Sequence, residues 1–307
     1  NNSCALNVFL EFCENEEITQ MSEIDSFHVS DFKLHRREED DVNEVTVYNN
    51  LCVLRVFLRW AESMGLVETE LAEKMILPNP DDARDEKIES DTADEILEYL
   101  NKFEYATLRH VLFALLWDSG FRLGTVRAID VDDFHSEDEY VSLQHRPETG
   151  TPLKNGEGAE REVNLHDWVC EVIDDYLETN REAVEDEHGR CPLLTTRHGR
   201  AHKTNLRAHI NALTRPCHYT GECPHDRNQD TCEGTEYNQS QRCPSSVSPH
   251  PIRRSAITAW LNEGHRKELI SDRMDVSTDT LDKHYDARTE SEKRQLRRDA
   301  FDMADGD

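Results

Sequence analysis

The sequence contains no run of 18 apolar residues, so a membrane-spanning helix is not expected. It also lacks a basic segment followed by an apolar stretch, and no export leader is expected. The first residue is Asn1 and not Met, so a preceding N-terminal piece is expected. Positive charge is scarce: 35 Lys and Arg face 64 Asp and Glu, a net charge of -29. Taken alone, that shortage argues against a nucleic-acid partner, because phosphate contacts need a positive face. The acidity, however, is global. Carboxylates decorate even expected helix faces, such as Glu171, Asp174, Asp175 and Glu178, and lysine is rarer than arginine, 9 against 26. Such a surface suits molar salt, where the Debye length falls to about 3 Å and self-repulsion is screened. A salt-accumulating halophile, of archaeal type, is the expected source. An acidic disordered chain is excluded by the periodic apolar segments that run through most of the sequence.

With no export signal the nine cysteines are expected to stay reduced, in a cytoplasmic protein. Cys4, Cys13, Cys52, Cys170 and Cys191 sit singly among apolar residues and are expected to act as small core hydrophobes. The other four form Cys217-x5-Cys223-x8-Cys232-x10-Cys243, with His218 and His225 nearby. Their segment, about 215–245, is otherwise polar and cannot build an apolar core. Four thiolates satisfy a closed tetrahedral zinc site, although the tight Cys-x2-Cys pairs of a standard finger are missing. A structural zinc is the expected organiser.

The fold class expected is mainly α (α+β). Residues 1–80 read as helical: Leu6, Phe9, Leu10 and Cys13 share one face, and Leu51, Leu54, Leu58 and Ala61 recur at helical spacing after a Thr46 cap. The charged stretch after Pro78-Asn79-Pro80 reads as a linker over 81–90, leaving 91–307 as a second domain. That domain opens on Thr92-x-x-Glu95, a capping box, and continues with a helix bearing Leu108, Val111, Leu112, Leu115 and Leu116 that Gly120 stops. Val141, Leu143, Leu153, Val163 and Leu165, with a turn at Asn155-Gly156, suggest a small antiparallel sheet. Helices are expected again at 167–177, 204–213 and 255–261. A hairpin is expected at 193–203, and one more amphipathic helix near Arg294, Arg297 and Arg298.

Cutting a phosphodiester without a metal needs a nucleophile, cations for the non-bridging oxygens, and an acid for the leaving 5′ oxygen. Arginine suits the second task, because its planar fork binds phosphate in a bidentate manner and keeps its charge. A tyrosine nucleophile makes the cut reversible: the phosphotyrosine ester conserves the bond, and another strand's 5′ hydroxyl can rejoin it.

Three segments resemble the tyrosine recombinase (phage integrase) family. Ser119-Gly120-Phe121-Arg122-Leu123-Gly124 looks like its box around the first catalytic arginine, and His250-Pro251-Ile252-Arg253 like its His-x-x-Arg. His284-Tyr285 places a tyrosine 32 positions after Arg253, where that family has its nucleophile. Lys154 matches the lysine of the family's β-hairpin. The resemblance extends over nearly the whole chain, with 1–80 in the place of the core-binding domain. It implies catalytic roles for Arg122, Lys154, His250, Arg253 and Tyr285, a double-stranded DNA partner, no metal for the chemistry, and a homo-oligomer, dimer or tetramer, on a recombination site.

The chain departs from the pattern in two places. Ungapped counting puts Asp275 and Val276 where the family has a phosphate-bonding His or Trp, and neither can donate a hydrogen bond when Asp275 is ionised. His265 and His284 are the substitutes within reach of the sequence. Thr125 and Val126 replace the glutamate usual after the first box. The alternative reading is therefore a catalytically impaired, integrase-like DNA-binding protein. A type IB topoisomerase fits the short chain and helical first domain poorly, and a zinc-dependent regulator gives no reason for the arginine-to-tyrosine spacing. Arg36, Arg37, Arg197, Arg200 and Lys203 are weaker candidates for phosphate contacts.

Overall fold

A computed structural model describes residues 2–79, 87–236 and 238–285, the side chain of His284 excepted, and positions 290, 291, 294, 297 and 298. The chain divides into two units, Asn1–Asp85 and Glu86–Asp307. In the first unit four helices follow one another: α1 (Asn2–Asn15), α2 (Ser26–Glu38), α3 (Glu44–Ser63) and α4 (Leu71–Lys74). The Asp25 carboxylate starts α2 by accepting from the amides of Phe27 and His28 at 2.9 and 3.0 Å. Asn43, not Thr46, starts α3; its side chain accepts from the Thr46 amide at 2.9 Å. The stripe Val47, Leu51, Leu54, Leu58 and Ala61 is buried as its spacing requires. It shares a core with Phe9, Phe12, Val29 and Phe32. Phe32 is fully enclosed, with the rings of Phe9 and Phe12 at 5.0 and 5.3 Å, so Phe32→Ala costs about 3–5 kcal/mol. Leu10, expected on the buried face of α1, is 56% exposed, and Phe12 takes its place in the core. Arg36 and Arg37 are engaged by Asp40 and Glu44, which weakens them as phosphate contacts.

The second unit begins before helix α5 (Ser90–Phe103). Its cap position is Glu89, which makes no side-chain capping bond, so the expected Thr92–Glu95 box is not formed. Ile88 lies in the unit's core and its amide donates to Ser255 Oγ at 2.8 Å; a linker running to residue 90 is therefore too long at its C-terminal end. The central helix α6 (Leu108–Ser119) is hydrophobic nearly all round, and Val111 through Leu116 have no exposure. It stops at Gly120, whose φ of +60 is the left-handed conformation glycine tolerates. Helix α7 (Leu123–Ala128) follows.

Strands β1 (Phe134–His135), β2 (Tyr140–Leu143) and β3 (Arg161–Asn164) form one antiparallel sheet in that order, with Val141 opposite Val163. Leu153 is buried but lies outside the strands; the segment before it forms only a bridge between Arg146 and Thr151. Helix α8 (Asp167–Thr179), the hairpin β4 (Thr195–Thr196) and β5 (Gly199–Arg200), and helices α9 (Lys203–Leu213) and α10 (Pro216–Tyr219) come next. Beyond the cysteine-bearing segment lie α11 (Pro249–Asn262), α12 (Lys267–Met274) and α13 (Thr278–His284). The helix expected around Arg294 falls mostly outside the described residues. Among those residues no helix is long and apolar enough to cross a membrane.

A cluster of three arginines and three aspartates ties the hairpin to the loops before β1 and β4. Arg146 grips Asp133 at 2.7 Å, Arg190 grips Asp130 at 2.6 Å, and Arg200 bridges Asp130 and Asp186 at 2.5 and 2.8 Å. Arg200, a weaker candidate for a phosphate contact, is instead buried in this network and is a structural residue. Cys13 and Cys170 are buried as core cysteines should be, but Cys4 and Cys191 are exposed.

Candidate active site

The end of α6 presents the first arginine. Ser119 Oγ donates to the Leu115 carbonyl at 2.5 Å and accepts from the Phe121 amide at 3.3 Å, which turns the chain sharply. Phe121 is driven fully inside, under the Arg161 guanidinium 5.6 Å from its ring. Arg122 emerges at the start of α7 with its side chain about one-third exposed. Helix α11 supplies the second pair: Pro249 is pre-set for a first helical turn, so His250 and Arg253 fall one turn apart. A cavity of about 220 Å³ is lined by Arg122, His250, Arg253, Ser248 and Arg207.

Arg253 is almost fully buried. It donates to the carbonyl of Gly120 at 2.6 Å and to that of Met274 at 2.7 Å. Burial, and then the neighbouring Arg122, bring its pKa down to about 10; the electrostatic influence of Tyr285 acts the other way. It remains a cation at neutral pH. Tyr285 packs against α11, the helix that carries Arg253. Its body is buried among Ile257, Leu261, Ile270, Met274, Val276 and Leu281, and its carbonyl accepts from Thr258 Oγ1 of α11 at 3.4 Å. His250 keeps an exposed edge, yet burial first, then Arg253, Arg254 and Arg122, hold its pKa below the usual imidazole value. A neutral ring results, able to donate at one nitrogen and accept at the other.

Four of the five residues singled out in the sequence are therefore brought together: Arg122, His250, Arg253 and Tyr285. Lys154 is exposed on the loop after Leu153. Its neighbour Asn155 donates to Asp275 Oδ1 at 2.8 Å, which fixes that loop beside the site. Asp275 itself pairs with Arg122 at 2.5 Å. His265 does not substitute for the missing donor, because it packs at a tilt against Trp260 and pairs with Glu263. The side chain of His284 lies outside the described residues. Thr125 and Val126 are buried and contribute packing.

Sequence reasoning passed over Arg207. It lies four residues after Lys203 on α9, one helical turn along the same face. The Lys203 amine sits against Gly124, where an added Cβ would come within 3.5 Å of it. That i, i+4 pair of cations in an acidic chain was the available signal. Arg161 was also missed; it donates twice to the Arg273 carbonyl, at 3.1 and 3.0 Å, and so braces the turn that carries Asp275.

In the cysteine-bearing segment, Cys217 lies on α10, and Cys232 and Cys243 flank turns at Glu233–Thr235 and Ser240–Arg242 that pack on each other. Gly234 lies so close to Cys243 that a Cβ there would be 3.2 Å from its own. Burial raises the Cys217 pKa, with smaller contributions in the same direction from Cys243, Cys223 and Cys232. Among the described residues no three His, Cys, Asp or Glu side chains are close enough to hold a metal as they stand. His218 is committed to Glu104 at 3.2 Å and His225 to Ser245 at 2.8 Å.

No family model matches the chain, and no curated protein matches it by sequence. Solved structures do match. The Tn1549 transposon integrase in complex with transposon right end DNA superposes with a TM-score of 0.69 at 12% identity, over 96% of this chain and 92% of that one. The same integrase with a circular intermediate DNA gives 0.66 at 14%, over 90% and 86%. A lambda integrase dimer bound to a COC′ core site gives 0.59 at 11%, over 92% and 88%. Identities this low speak for architecture, and in architecture the chain is similar to DNA-bound integrases along nearly its whole length.

Proposed function

We propose that the chain is a tyrosine-type, site-specific DNA recombinase that cuts and rejoins duplex DNA through a 3′-phosphotyrosine intermediate. The observation that carries this reading is the meeting of Arg122, His250 and Arg253 around one cavity, with Tyr285 packed against the helix that carries His250 and Arg253. The Tyr285 oxygen attacks phosphorus while the P–O5′ bond breaks. The phenol proton passes to neutral His250, and Lys154 protonates the leaving 5′ oxygen. Arg122 and Arg253 neutralise the charge that builds on the non-bridging oxygens, a task for which fixed guanidinium donors are suited. Rejoining runs the same steps backwards from the 5′ hydroxyl of another strand. Copies of the chain assemble as a dimer or tetramer on the DNA, so that each cut strand has its own tyrosine.

A nicked suicide substrate tests this. The unmodified protein should form a covalent protein–DNA adduct, and Tyr285→Phe should form none while binding DNA with nearly unchanged affinity at the same salt concentration. An adduct with Tyr285→Phe would show that Tyr285 is not the nucleophile. A second reading, an integrase-like protein that binds DNA without cutting it, is favoured by one observation: Asp275 occupies Arg122 and offers no donor to phosphate. It requires the unmodified protein to give no adduct.

Two further parts belong to the proposal. Cys217, Cys223, Cys232 and Cys243 hold a structural zinc, supported by the packing on each other of the turns that adjoin Cys232 and Cys243. Metal analysis of protein purified without added zinc should find about one equivalent, lost in Cys232→Ser. The net charge of -29 supports a halophilic setting. The unfolding midpoint should rise steadily with KCl, and a midpoint indifferent to salt would count against it.

A further inference from the structure

Asp275 sits in a conformation that few residues adopt, with φ of +49 and ψ of 61, at the end of α12. Aspartate, asparagine and glycine are the residues that tolerate it. The turn is held from several sides. Arg161 grips the carbonyl of Arg273, Arg253 grips those of Met274 and Asp275, and Arg273 reaches the Asn164 carbonyl at 2.6 Å and buried Asp118 at 3.1 Å. Three successive carbonyls are thus fixed by arginines. The carboxylate they aim has two bonded partners, Arg122 Nη1 at 2.5 Å and Asn155 Nδ2 at 2.8 Å, and its side chain is only 17% exposed.

An anionic group fixed against a one-third-exposed guanidinium that lines a cation-rich cavity occupies a position an incoming anion would take. From this placement we infer that Asp275 is a resident anion that holds Arg122 until a DNA phosphate displaces it. It is a positioning residue, acting through Arg122 and not on the reacting atoms. The inference rests on the recombinase reading for the identity of the displacing group. The competition itself rests on the geometry alone: two anions cannot both take the same face of one guanidinium, so binding of phosphate there includes the loss of the Asp275 pair. The device keeps the site closed to stray anions and admits a phosphate that other DNA contacts have already brought close.

The test uses the full chain and two variants, Asp275→Asn and Asp275→Gly. Both suit the left-handed backbone and both remove the negative charge, so neither should misfold. Two readouts are taken at one fixed salt concentration. The first is stabilisation of the folded state by inorganic phosphate, which reports anion binding whether or not the protein cuts DNA. The second is single-turnover adduct formation on the nicked suicide substrate at saturating DNA. Inorganic phosphate should bind both variants about tenfold more tightly than it binds the unmodified protein, and adduct should form about tenfold faster, the scale of one charge-assisted hydrogen bond. Unchanged phosphate affinity in variants that remain folded overturns the inference, and so does slower adduct formation in both. A Tyr285-dependent adduct in the unmodified protein with no gain in either variant rejects the resident anion and keeps the recombinase. Tighter phosphate binding in the variants with no adduct in any protein keeps the resident anion and rejects the recombinase.

Discussion

The second unit contains two groups of arginines that answer to different rules. Beneath the hairpin, Arg146, Arg190 and Arg200 meet Asp130, Asp133 and Asp186, three charges against three, largely buried. Around the cavity, Arg122, Arg207 and Arg253 gather beside neutral His250, and the carboxylate bonded to Arg122 is Asp275. One group is closed on itself. The other has cationic charge in excess, in a chain whose net charge is -29. A buried or half-buried excess of one sign is costly unless something of the other sign arrives. The imbalance, more than the number of arginines, marks the site.

The sharpest way to break this comparison is to remove one arginine from each group. Arg122→Ala should lower adduct formation about a thousandfold, the scale of losing a charged donor to a transition-state oxyanion, and leave the unfolding midpoint near that of the unmodified protein. Arg200→Ala should do the reverse. Breaking a buried pair costs about 3–5 kcal/mol of stability, and the molecules that remain folded should cut at the normal rate. If the two variants exchanged phenotypes, the division between structural and functional arginines would be wrong.

Two histidines sharpen the point on a smaller scale. His110 is fully buried, its Nδ1 accepts from the Ala106 amide at 3.3 Å, and burial lowers its pKa to about 4. The folded-state value lies below that of the unfolded chain, so below about pH 6.5 the unfolded state takes up a proton that the folded state refuses. Stability is therefore lost as pH falls from about 6.5 through 4, by up to about 3 kcal/mol. Urea unfolding at pH 7 and pH 4.5 should show this loss and His110→Gln should lack it. Arg207→Ala comes next in size. That exposed cation should contribute about tenfold to adduct formation and under about 0.5 kcal/mol to stability. The smallest effect is a titration. His250 is held neutral by burial together with nearby cations, so inorganic phosphate should raise its NMR-detected pKa and leave that of His110 where it is.

Much of this was legible in the sequence, and the failures have physical causes. Helical spacing placed Leu51, Leu54, Leu58 and Ala61 correctly because α1, α2 and α4 all pack on α3 and cover that apolar face. Leu10 went wrong because α1 buries Phe12 instead, and only the neighbouring helices decide which side of so apolar a helix turns inward. Both cap positions at issue, Thr46 and Thr92, lay about three residues inside their helices; Thr ahead of an apolar stretch resembles a start, and Thr92 also has Glu95 downstream. In the site, the order and spacing of Arg122, His250, Arg253 and Tyr285 could be read because each belongs to a local motif. Asp275 registered only as a missing donor. Its pairing with Arg122 spans 153 positions, and no local pattern encodes that. Arg200 failed for the same reason: its aspartate partners lie 70 positions upstream and 14 upstream.

The turn at residues 273–275 also sets a leash. Its carbonyls are fixed by Arg161 and Arg253, and from there to Tyr285 the chain has only Val276 and Ser277 before the seven residues of α13. With that helix intact the tyrosine can stray no farther than about 20 Å from the anchored turn, whereas the same stretch unwound would reach roughly 35 Å. Under the proposed reaction, so short a tether would have Tyr285 serve the phosphate bound by its own protomer. Lending it to a neighbour would require α13 to melt, and the melting of that single helix would be the event to look for when copies of the chain exchange strands.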